Sequence, residues 1–68
     1  MKITVEINGE PFNCMNNMSL SFLLEYLDFN ISISIIEYNS NILSKDQIQY
    51  IQLKDQDKLE VVTIVGGG

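Results

Sequence analysis

Sixty-eight residues make one domain with no room for a second, and a chain of this size buries only about 60% of the surface that its unfolded form exposes, so the core must be small. A hydrophobic share of 46% is ordinary for a globular domain and excludes general disorder, while a formal charge of -5, carried against four lysines and no arginine, excludes a phosphate-binding surface and favours a basic partner over nucleic acid. One cysteine, Cys14, and no histidine exclude an internal disulfide and any zinc or iron-sulfur ligand set.

In chain order, residues 2–8 alternate, with Ile3, Val5 and Ile7 on one face and Thr4, Glu6 and Asn8 on the other, the period of a half-buried strand. Asn8-Gly9 supplies the two positive-φ positions of a type I′ turn. A two-residue loop pairs Val5 with Phe12 and Ile3 with Cys14. That register puts the thiol on the buried face as a small apolar filler, with no histidine to activate it as a nucleophile. Pro11 suits the start of an edge strand. Asn16-Asn17 breaks the pattern, Ser19 is the expected N-cap, and Leu20, Leu23, Leu24 and Leu27 form one apolar stripe on a short helix ending near 28–30. Residues 32–38 are again expected as strand, with Ile35 and Glu37 outward and Ile36 and Tyr38 inward. Asn39-Ser40-Asn41 is a turn, Ile42-Leu43 a short strand, and Ser44 caps a helical turn through about Ile48.

Ile51 and Leu53 lead into the polar turn Lys54-Asp55-Gln56-Asp57, whose two carboxylates are expected in water and in a turn or docking role. In the last strand Leu59, Val61 and Thr63 share one face and Glu60, Val62 and Ile64 the other. A charged Glu60 is not expected to point into so small a core. Val62 and Ile64 are therefore expected to be exposed and, with outward-facing Ile35, to form an apolar docking patch.

The order β-β-α-β-β-β, with one main amphipathic helix on a mixed sheet of four to five strands, is a two-layer α+β domain. With the first and last strands parallel at its centre, it resembles the β-grasp, or ubiquitin-like, fold. Residues 1–65 are assigned to this domain and residues 66–68 to a flexible tail. No repeat, low-complexity tract, linker or membrane-spanning stretch interrupts it. Met1 is followed at once by the strand pattern, without an apolar leader or arginine-rich presequence, so the protein is expected to work where it is made. Residue usage rich in Ile, Asn and Lys and empty of Ala and Arg fits AT-rich coding. The expected compartment is the cytoplasm, or the plastid stroma if the gene lies in an organelle.

General-base histidine, nucleophile elbow and phosphate-binding glycine loop are all missing, and the glycine cluster has no helix after it. That cluster, Gly66-Gly67-Gly68, follows the apolar run 59–65. Three extended residues without Cβ reach roughly 10 Å and pass where no other residue fits, so they are expected to present the Gly68 carboxylate as a chemical handle.

These features resemble a ThiS-type sulfur carrier of thiamine biosynthesis. The resemblance covers nearly the whole chain: the opening strand with Asn8-Gly9-Glu10, the helix with Ser19-Leu20 and Leu23-Leu24, the strand ending Glu37-Tyr38-Asn39 before Ile42-Leu43, then Leu53 with Asp55-x-Asp57, and the tail Val65-Gly66-Gly67-Gly68. One departure is visible: the family usually has glycine between the two acids and this chain has Gln56, which bears on the turn and not on the tail. The resemblance implies a carried substrate and not an enzyme. A ubiquitin-activating-like adenylyltransferase, using ATP and Mg²⁺ of its own, would adenylate the Gly68 carboxylate while Gly66 and Gly67 occupy its active-site channel. Sulfur drawn from cysteine by a desulfurase would then leave a thiocarboxylate for thiazole synthase, with Ile35, Glu60, Val62 and Ile64 as the docking surface. No cofactor, nucleic acid or membrane is implied for the chain itself. Two other readings share part of the pattern: a carrier for another acceptor, as in the usually longer molybdopterin synthase small subunit or ubiquitin-related carriers, and a β-grasp binding module whose glycines do no chemistry.

Overall fold

The structure, a computed structural model, describes residues 2–64. The tail Gly66, Gly67 and Gly68, and with it the expected domain boundary after residue 65, lies outside the described residues. β1 (Lys2–Ile7) and β2 (Glu10–Met15) form the hairpin in the register the alternation predicts, Val5 opposite Phe12 and Ile3 opposite Cys14. Asn8 and Gly9 turn it with φ of 51° and 84°, both in the left-handed region that a type I′ loop requires.

α1 (Leu20–Tyr26) begins at Ser19, whose hydroxyl accepts from the Phe22 amide at 3.1 Å. It ends in a Schellman motif: Phe29 N donates to Leu24 O and Asp28 N to Glu25 O, with Asp28 at φ 65° where glycine is commoner. Leu20, Leu23 and Leu24 are buried and Leu27 packs at the margin of the core. The strand expected from residue 32 starts later, as β3 (Ser34–Tyr38), because Asn30 diverts the preceding backbone. Its Oδ1 accepts from Ser32 N at 3.1 Å and Ser32 Oγ at 2.6 Å, winding Ile31–Ile33 into one 3-10 turn. β4 (Asn41–Ile42) returns through Asn39-Ser40, and α2 (Lys45–Ile48) starts in a capping box, the Ser44 amide donating to Gln47 Oε1 at 2.8 Å. Between α2 and β5 (Lys58–Thr63) the chain makes a single bridge, Gln52 to Ser19.

The sheet order is β2-β1-β5-β3-β4, with β5 parallel to β1 and antiparallel to β3. This is the α+β, β-grasp architecture expected from the pattern of elements. One core joins Ile3, Val5, Ile7 and Cys14 of the hairpin, Ile36, Leu59 and Val61 of the central strands, the three helix leucines, and Ile48 and Leu53. Among the described residues no helix is long and apolar enough to cross a membrane.

The late turn departs from expectation at one of its two acids. Asp55 is exposed and accepts from Thr4 N at 2.8 Å, tying the turn to β1. Asp57, expected in water, is only 6% exposed. Its carboxylate accepts from Tyr38 Oη at 2.6 Å, Lys54 N at 2.7 Å and Asn39 Nδ2 at 3.1 Å. Three donors, one from its own turn and two from the end of β3 and the turn that follows, replace the lost water, which is what makes a buried carboxylate tolerable. Gln56 stands at φ 71° in a turn closed by Asp57 N donating to Lys54 O at 3.1 Å. That is the third position of a type II turn, where positive φ is obligatory and glycine usual. The turn keeps the shape a glycine would give it, and Gln56 bears the strain.

Candidate functional site

The last strand decides where the site can be. β5 runs up the middle of the sheet, and its far end passes beside the β1–β2 turn. Leu59 and Val61 point into the core, whereas Val62 and Ile64 are 58% and 54% exposed on the outer face. Ile35 lies opposite Val62 in the β3–β5 register and is exposed as well, so the three form one apolar surface. Ile33 and Ile42, also exposed, extend it, and Ile42 sits opposite Glu37.

Glu60 faces outward directly opposite Glu37. Like charges at such a pair oppose folding by a few tenths of a kcal/mol or more, and they leave a negative edge on the apolar surface that suits a basic partner. The outward direction of Glu37 was legible from its own strand. Its pairing with Glu60 depends on strand register, and no local sequence signal carries it.

The end of β5 is held on both sides. Towards β3, Ser34 pairs with Thr63, and Ile64 N donates to Ile33 O at 2.7 Å. Towards β1, the Asn8 side chain meets Val61: Val61 N donates to Oδ1 at 2.8 Å, and Nδ2 donates to Val61 O at 3.3 Å. Sequence reasoning placed Asn8 on the outer face of the first strand and in the turn, with no contact to the last strand.

Two other features do not join this surface. Cys14 is buried, and burial followed by the negative charge of Asp57 pushes its thiol above the ordinary range, so it stays protonated. An apolar cavity of about 320 Å³ opens between β2 and α1, lined by Phe12, Met15, Met18, Phe22 and Tyr26 among others. It lies towards the Lys2–Met15 end of the hairpin, away from the Asn8-Gly9 end where β5 finishes. Gly66, Gly67 and Gly68 themselves are outside the described residues. No cluster of three or more potential metal-binding side chains occurs among those described.

The model of the ThiS family matches residues 5–68. Protein ycf40 of Porphyra purpurea is 53% identical over 66 residues, covering 97% of this chain and 93% of that protein. A thiazole synthase of Magnetococcus marinus is 33% identical over 64 residues, which are 94% of this chain but 20% of that protein. The crystal structure of the thiamine biosynthesis protein ThiS from Geobacter metallireducens superposes with a TM-score of 0.81, covering 97% of this chain and all of that one; at 23% identity the likeness speaks to the fold. The chain belongs to the ThiS family and is a small sulfur carrier of thiamine biosynthesis, not a catalyst.

Proposed function

We propose that the carrier works through its C-terminal carboxylate. The Gly68 carboxylate attacks the α-phosphorus of ATP in a ubiquitin-activating-like adenylyltransferase, and pyrophosphate leaves. The terminal sulfur of a desulfurase persulfide, drawn from cysteine, then attacks the acyl carbon and AMP departs, and a thiol reduces the resulting acyl disulfide to leave a thiocarboxylate. Adenylation turns a poor leaving group into a good one, while the nucleotide and Mg²⁺ sites belong to the partner. The thiocarboxylate gives its sulfur to thiazole synthase. Gly66 and Gly67 lack side chains and so can enter two different active sites.

The observation that carries this reading is the family match, which runs to residue 68 and takes in all three glycines. Thiazole synthase as acceptor is supported by the Magnetococcus enzyme, which includes within one polypeptide a segment similar to nearly the whole of this chain. The surface of Ile35, Val62 and Ile64 with Glu60 is proposed as the dock for the activating enzyme, thiazole synthase or both, because it adjoins the strand that leads to the tail. The ycf designation of relatives, together with AT-rich residue usage, supports the plastid stroma as the compartment.

Mass spectrometry of the intact chain after incubation with the adenylyltransferase, ATP, a desulfurase, cysteine and a thiol reductant tests the proposal. The expected result is a mass gain equal to exchange of one oxygen for one sulfur, localised to the C-terminal fragment. An unchanged mass would leave the chain a binding module and sink the thiocarboxylate reading.

A further inference from the structure

We propose that Asn8 is a positioning residue for the carrier step: its side-chain amide stands in for a missing stretch of strand beside β5 and fixes the direction in which the chain leaves Ile64. The proposal rests on the carrier reading above and adds a residue to it.

The argument starts from the ladder. β1 pairs with β5 at Glu6↔Lys58 and Ile7↔Leu59, and Asn8 N continues the pairing by donating to Leu59 O at 2.9 Å. There β1 turns away into Asn8-Gly9. The next backbone groups of β5 on that side, the N–H and C=O of Val61, are left without a strand to pair with. Asn8 meets both, Oδ1 accepting from Val61 N at 2.8 Å and Nδ2 donating to Val61 O at 3.3 Å. A primary amide carries one acceptor and two donors on one short stem, so it imitates a backbone peptide, which neither Asp nor Ser can do.

The turn by itself does not call for this residue. A type I′ loop accepts Gly or Asp at its first position as well as Asn. Glycine would leave Val61 unpaired on both counts, and aspartate would set an anion against Val61 O. Asparagine meets two demands together, the φ of 51° and the bidentate contact. On the opposite flank β3 holds β5 as far as Ile64. Only with both flanks held is the frame of residues 61–64 fixed, and an arm that must reach a partner's reacting centre depends on the direction of its base.

Asn8→Gly separates the two demands, since glycine keeps the turn conformation and loses the clamp. Amide exchange at Val61 should quicken in this variant while the fold persists by circular dichroism. With the adenylyltransferase, kcat for thiocarboxylate formation should fall about ten-fold and KM should stay within about two-fold, because the arm's aim changes and the docking surface does not. Asn8→Asp, which keeps the acceptor for Val61 N, should fall between the two. Unchanged kcat in Asn8→Gly, or kcat and KM worsening together in proportion to lost stability, would overturn the positioning role. Failure of the wild-type chain to be loaded at all would overturn the carrier reading, and this inference with it.

Discussion

At the scale of single residues, the buried carboxylate of Asp57 organises the loops at the start of β5, and Tyr38 is its closest donor. Burial, the hydrogen bond to Asp57 and that residue's charge together push the Tyr38 phenol up from 10.0 to about 12. A group whose folded pKa lies above its unfolded value binds its proton more tightly when folded. Its stabilising contribution is therefore complete below pH 10 and is lost as pH rises towards about 12. Urea unfolding followed across that window should show the decline, and Tyr38→Phe should remove the part due to this phenol. At neutral pH the same substitution should cost about 1.5–3 kcal/mol, as befits loss of a hydrogen bond to a charged acceptor. Gln56 makes the opposite prediction. Its positive φ is one that glycine adopts without penalty, so Gln56→Gly should raise stability by about 1 kcal/mol, read as a higher urea midpoint at unchanged slope. A lower midpoint would mean that the Gln56 side chain has a compensating role.

At the scale of elements, β5 divides its work between its two faces. Val62→Asp or Ile64→Asp should weaken binding to the activating enzyme or to thiazole synthase, measured by calorimetry, and should barely move the melting temperature, since both side chains are already in water. Leu59→Ala should do the reverse. Leu59 is buried in the one core that also holds Ile36 and Leu53, and truncating it should cost roughly 2–5 kcal/mol. A large loss of stability in Val62→Asp would show that the outer face is packed and not a dock. Alternation made this division readable from Glu60 alone, because a period of two leaves just two assignments and a single charge chooses between them. The first hairpin was equally legible: Asn-Gly sets the loop length, and loop length sets the register of every pair behind it. The start of β3 was not. Ile31 and Ser32 suit a strand by composition, and the Asn30 side chain outbids the ladder for the Ser32 amide.

For the whole molecule, the fold supports chemistry that it does not itself perform. Removing Gly68 should abolish sulfur loading and leave the melting temperature unchanged within error, because among the described residues the last to join the core is Val61. Loading of a chain that stops at Gly67, seen by intact mass, would reassign the reactive carboxylate. What the sequence determined by itself was whatever is encoded within a few neighbouring residues: the strand periods, the helix stripe with its Ser19 cap, and the hairpin register that buries Cys14. The tertiary structure alone decided which distant groups meet. Asp57 reads locally as one of two solvated turn acids, yet two of its three donors come from Tyr38 and Asn39, nineteen and eighteen residues away. Asn8 reads as a turn residue and grips Val61 across 53 positions. Glu37 and Glu60 confront each other only through the β3–β5 register. Side chains of this kind satisfy or oppose backbone and charge on elements that the chain brings alongside only after it has folded, and a pattern of hydrophobic periods carries no trace of them.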